Sequence, residues 1–131
     1  MGAWGIEAYE NDTALDWAGE TGADLKSIEE ALVIVIKSKG EELDADEGCI
    51  AVAACQALLD YHNPKQGLLD KILGKKKSVI VETELIAKAN EAIPIIIGEN
   101  SELSELWAEG DEHEDWIKSV EGIQKKLNEL K

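Results

Sequence analysis

Apolar residues recur at helical spacing along three long stretches of the chain. Leu25, Ile28, Leu32, Val35 and Ile36 follow one another at three- and four-residue steps, with Asp24 ahead of them as a cap and Gly40 closing the stretch. The β-branched run from Val33 to Ile36 leans towards strand, but length and period decide for a helix over 24–38. Near the C-terminus Trp116, Val120, Ile123, Leu127 and Leu130 step by four, three, four and three, which is the stripe of an amphipathic helix over 116–130. Between them, Asp44 and Glu47 make a D-x-x-E carboxylate cap ahead of GCIAVAACQALLDYH. That segment carries small apolar residues on every side, so the helix 45–62 is expected to be closely packed all round and to form the core of the fold.

Shorter elements fill the gaps. Asn11 or Asp12 caps a short helix bearing Ala14, Leu15, Trp17 and Ala18, which Gly19 with Gly22 is expected to end. Pro64 stops the central helix and begins a short one carrying Leu68, Leu69, Ile72 and Leu73, followed by a loop at Lys75, Lys76 and Lys77. SVIV at 78–81 has strand character, yet no second clear strand exists to pair with it, so Leu85, Ile86, Ala89 and Ile93 indicate a helix from about Glu82. Pro94 is expected to kink or end it. Asn100 or Ser101 caps a helix with Leu103, Leu106 and Trp107, and Gly110 interrupts before the last helix. The fold class that follows is all-α: a compact bundle of about six helices around the alanine-rich one, in a single domain over 1–131.

Composition sharpens this picture. Phe is absent and four tryptophans are present, so the core must lean on aliphatic residues with a few large indole anchors. The formal net charge is −15, and all thirteen cations are lysine. So negative a chain repels nucleic-acid phosphates and anionic membranes, and the lack of Arg removes the fork that grips phosphate in both its oxygens. A basic protein surface suits the field better. No run of about 18 apolar residues offers a membrane span, the start lacks the layout of a signal peptide, and Ile6 stands where a myristoylation signal wants Ser or Thr. A cytoplasmic location is expected.

M-G-A-W-G at 1–5, N-D-T-A-L-D-W at 11–17, the alanine-rich helix 45–59 and N-S-E-L-S-E-L-W at 100–107 resemble an uncharacterised, mainly bacterial family, domain-of-unknown-function family 4259. The resemblance covers essentially the whole chain, and its N-terminal block is specific because two motifs stand at fixed spacing from the first residue. The sequence departs from the family pattern at Tyr9, where Phe is expected, and around Lys75–Lys77 and Pro94. The family implies no activity.

The residues themselves offer one candidate recognition surface. Trp4, Glu10, Asn11, Asp12, Asp16 and Trp17 combine indole rings, carboxylates and an amide near the N-terminus, the residue types of a binding rim. The structural reading of the same stretch is a plug in which Trp4 lies on the core and Asn11 and Asp12 cap the first helix. Cys49 and Cys55, on one helix, stand about 9 Å apart along its axis, too far for a disulfide, and are expected to be free and buried. Cys55 and His62 are about 10 Å apart by the same geometry, beyond the reach of a thiolate–imidazole pair. Neither C-x-x-C nor H-x-x-x-H spacing is present, so no metal ligand set and no cofactor is expected. The densest acidic run, Glu109, Asp111, Glu112, Glu114 and Asp115 around His113, reads as a solvated helix start, with Lys125, Lys126 and Lys131 completing the dipole pattern. No nucleotide, hydrolase or metalloprotease motif occurs.

Two function classes follow. The first is an acidic interaction module for a basic protein, of the inhibitor or immunity type. The second is a small-ligand or metal-dependent enzyme using the carboxylates of the N-terminal motif. A deep polar pocket lined by Glu10 to Asp16 favours the enzyme, and a smooth acidic face favours the module.

Overall fold

The computed structural model describes residues 8–62 and 83–129. Among these residues six helices follow in order: α1 (Asp12–Thr21), α2 (Leu25–Lys37), α3 (Ala45–His62), α4 (Thr83–Ile96), α5 (Glu102–Ala108) and α6 (His113–Glu129). None of the described residues belongs to a β-strand, so the all-α bundle stands. The expected packing of Trp4, the helix at 68–73, the Lys75–Lys77 loop, the segment 78–81, and Leu130 with Lys131 lie outside the described residues.

Side-chain caps start the helices where the sequence places polar residues. Asn11 Oδ1 accepts from the Ala14 N–H at 2.8 Å and Asp24 Oδ1 from the Ser27 N–H at 2.8 Å. Ser101 Oγ accepts from the Ser104 N–H at 3.2 Å. Each satisfies one of the donors that a helix start leaves open.

Gly22 sets one helix end, and Pro94 lies close to another. α1 runs through Gly19 to Thr21 and stops at Gly22, whose φ of 69° is the left-handed value that a residue without Cβ adopts freely. A glycine inside a helix merely weakens it, whereas a left-handed residue cannot continue it. α4 continues past Pro94 to Ile96, and the Ile97 N–H still reaches the Ile93 carbonyl at 3.1 Å. Pro94 is exposed and lies in the last turn, so its ring takes a solvent-side position and forfeits one bond rather than a run of them.

α3 packs against every other described helix, which makes the alanine-rich segment the centre of the bundle. Ala51, Ala53, Ala54 and Ala57 are fully buried, and side chains this small admit neighbours on all sides. α2 lies against both α3 and α4, with Ile28, Leu32 and Val35 buried. α3 and α5 approach closely at the start of α3, where a Cβ on Gly48 would stand 3.1 Å from Leu103 Cδ2.

Candidate functional site

The N-terminal rim divides when its residues are placed. Asn11 is committed to structure: besides capping α1, its Nδ2 donates to the Ala8 carbonyl at 3.4 Å, and the side chain is buried. Trp17 retains 9% exposure and belongs to the core cluster. Glu10 is half-buried, while Asp12 and Asp16 are exposed. Trp4 lies outside the described residues. Asp12 and Asp16 share a helical face with Glu20, also exposed, because positions four apart stack along a helix. The result is an acidic stripe along α1.

Long-range bonds set two further helix starts beside that stripe. Thr13 Oγ1 donates to Asp46 Oδ1 at 3.3 Å, which brings the starts of α1 and α3 together. Leu43 and Ser101 pair as a parallel bridge: the Leu43 N–H donates to the Asn100 carbonyl at 2.7 Å and the Glu102 N–H to the Leu43 carbonyl at 2.9 Å. Asp44 Oδ1 caps α3 by accepting from the Asp46 N–H at 2.8 Å, and Glu102 Oε1 takes the Ala45 N–H at 2.9 Å. Asp44 and Asp46 are exposed like the α1 carboxylates. No lysine occurs in residues 1–25 or 40–64, and these carboxylates gather at this end of the bundle.

The turn from α5 to α6 makes a second feature, an aromatic corner. Trp107 stacks on Trp116 with ring centroids 6.0 Å apart and planes 11° from parallel, and His113 stacks on Trp116 at 6.2 Å and 15°. Trp116 is 3% exposed, whereas Trp107 and His113 are half-buried. The buried Ser104 hydroxyl lies 3.0 Å from His113 Nε2 and donates to the Ile97 carbonyl at 3.4 Å. The hydroxyl thus stands between the imidazole and a backbone carbonyl. The pair ties α5 to α6. Glu105, Glu109, Asp111 and Glu112 around this corner are exposed, and residues 105–115 contain no lysine. The carboxylates of the acidic run therefore face water at the start of α6, where the helix dipole favours them.

The remaining chemistry-bearing residues are inert in place. Cys49 and Cys55 are free and buried. Burial first, then the charges of Asp46 and Asp44, pushes the Cys49 thiol up to about 11, and burial alone pushes Cys55 up to about 12. Both stay protonated near neutrality, the opposite of an activated thiolate. Among the described residues no group of three or more His, Cys, Asp or Glu side chains could hold a metal ion. A cavity of about 510 Å³ opens along α6, lined by Glu121, Gln124, Lys125, Asn128 and Glu129. None of its lining comes from the α1 carboxylates. Among the described residues no helix is long and apolar enough to cross a membrane.

Sequence periodicity showed where Trp107, Trp116 and His113 lie along the chain but not that they meet. The Ser104–His113 and Thr13–Asp46 contacts carried no motif that could have announced them. Comparison with curated proteins and with solved structures found no match. The family model of the Domain of unknown function (DUF4259) matches residues 2–119, spanning every helix described above except the last part of α6. The chain belongs to the DUF4259 family.

Proposed function

We propose that this chain is a cytoplasmic, acidic interaction module of a bacterial cell whose partner is a basic protein, as an inhibitor or immunity protein would be. The observation that carries the reading is the acidic end of the bundle. Asp12, Asp16 and Glu20 form an exposed stripe on α1 beside exposed Asp44 and Asp46, with no lysine in either stretch of chain. Among pairs of described residues the ion pair is Lys88–Glu29, at 3.1 Å, on the α2–α4 side of the bundle. Exposed carboxylates gathered on one face repel other anions and speed encounter with a cationic partner. The α1 carboxylates lie along one exposed helix face, the arrangement that a binding face requires.

Affinity capture from the native cell, read by mass spectrometry, tests the reading when run with the wild-type chain beside Asp12→Asn/Asp16→Asn/Glu20→Gln. The expected result is a basic protein retained by the wild type and depleted by the variant. Equal retention by both, or only acidic and neutral proteins on the wild type, would contradict it.

A further inference from the structure

We propose that the indole of Trp107 is the anchor onto which a lysine- or arginine-bearing segment of the basic partner docks; the inference rests on the interaction-module reading above and names the residue that fixes the partner. Three observations converge on it. Of the three described tryptophans, Trp17 and Trp116 are buried in the core, whereas Trp107 packs against the core and stays half-buried. Its ring is held in place by the stack on Trp116, so presenting it to a partner costs little further side-chain order. The exposed neighbours Glu105, Glu109, Asp111 and Glu112 are carboxylates with no lysine among residues 105–115.

That combination selects a cation. The face of an indole carries the negative end of its quadrupole and attracts an ammonium or guanidinium within about 6 Å of the ring centre, and carboxylates around the ring add to the same field. An anionic or purely apolar partner segment would have to desolvate those carboxylates without compensation. Tryptophan is also the residue type most enriched where binding energy concentrates in an interface. The corner adjoins the acidic end of the bundle: α5 has seven residues, about 10 Å of helix, and its first residue, Glu102, is bonded to Ala45 at the start of α3.

A tryptophan-free peptide of alternating lysine and arginine, about ten residues long, is the probe, titrated against the intact chain and followed by intrinsic tryptophan emission at about 0.15 M salt, where distant charges are screened. The wild type is expected to bind with a change in emission. Trp107→Leu, checked for native helicity by circular dichroism, is expected to lose the emission change and about fivefold or more in affinity. The exposed triple variant Glu109→Gln/Asp111→Asn/Glu112→Gln decides the matter independently of folding. It should weaken binding more than Glu84→Gln/Glu91→Gln/Glu121→Gln, which removes the same charge from exposed positions on α4 and α6. A folded Trp107→Leu that binds within about twofold of wild type, or equal losses from the two triples, overturns the anchor and leaves the acidic-module reading standing. Failure of the wild type to bind the peptide at all overturns that reading, and the anchor with it.

Discussion

Trp107 lies stacked on Trp116 at 6.0 Å and 11° from parallel, yet the two rings have different fates: Trp116 is 3% exposed and Trp107 is half-buried. One indole belongs to the core and carries the other at the surface. Trp116→Ala should therefore cost about 3–5 kcal/mol of stability, because it opens a cavity between α5 and α6. Trp107→Leu acts on a partly solvated site and should cost less than Trp116→Ala. Denaturant melts of the two variants check the contrast.

Gly48 offers a test of the packing between α3 and α5. Alanine is the better helix former by about 1 kcal/mol, so Gly48→Ala would stabilise a helix standing alone. Here the added methyl meets Leu103 Cδ2 at 3.1 Å and Cβ at 3.2 Å, and Leu103 is buried with little room to yield. Overpacking of that kind costs about 1–3 kcal/mol, so the net effect should be a loss of up to about 2 kcal/mol, read as a lower urea midpoint with unchanged m value. A stabilised Gly48→Ala would show that α5 is free to move away.

The cysteines give the chain a pH-dependent stability above neutrality. Both thiols are raised in the folded state, to about 11 for Cys49 and about 12 for Cys55 against an ordinary value of 9.0. The folded state thus holds its thiol protons more tightly than the unfolded chain. That contribution is fully present below pH 9.0 and is lost as pH rises through the window towards 11 and 12. A Cys49→Ala/Cys55→Ala chain should lose less stability than wild type between about pH 8 and pH 10, as measured by urea melts. In the native state at about pH 8 both thiols should react with a disulfide reagent far more slowly than in the unfolded chain.

Much of this fold was legible because its helices carry their own periodicity. The stripe Trp116–Val120–Ile123–Leu127 is buried as its four-three spacing requires, and residues 51–55 and 57–60 of α3 are buried as its small apolar residues require. What the sequence hid were contacts between distant residues. Leu43 pairs with Ser101, and Glu102 takes the N–H of Ala45, across separations that no local pattern encodes. Asp44 and Glu47 read as one local cap, but the second acceptor at the start of α3 comes from another helix. Of the two glycines expected to end α1, Gly22 does so while Gly19 stays helical, and the helix holding Pro94 ends two residues beyond it. The candidate rim read as one patch because Asn11, Asp12, Asp16 and Trp17 are neighbours in sequence, whereas the helix turns Trp17 into the core and Asp12 and Asp16 to water.

Self-repulsion among surface carboxylates should also appear without any partner. With a formal net charge of −15, the folded chain crowds like charges that the unfolded chain disperses, so added sodium chloride should raise the melting temperature over about 0 to 0.3 M. Asp12→Asn/Asp16→Asn/Glu20→Gln should melt higher than wild type at low salt and respond less to added salt. A melting temperature that falls with salt would mean that attractive pairs outweigh the repulsion.

The central claim, that the acidic end of the bundle is a binding face for a basic protein, is tested most directly by calorimetric titration of the captured partner across a series of salt concentrations. The account predicts an affinity that falls steadily as salt rises, and a shallower fall for Asp12→Asn/Asp16→Asn/Glu20→Gln, whose loss appears mainly in the association rate. An affinity indifferent both to salt and to removal of those three carboxylates would contradict it.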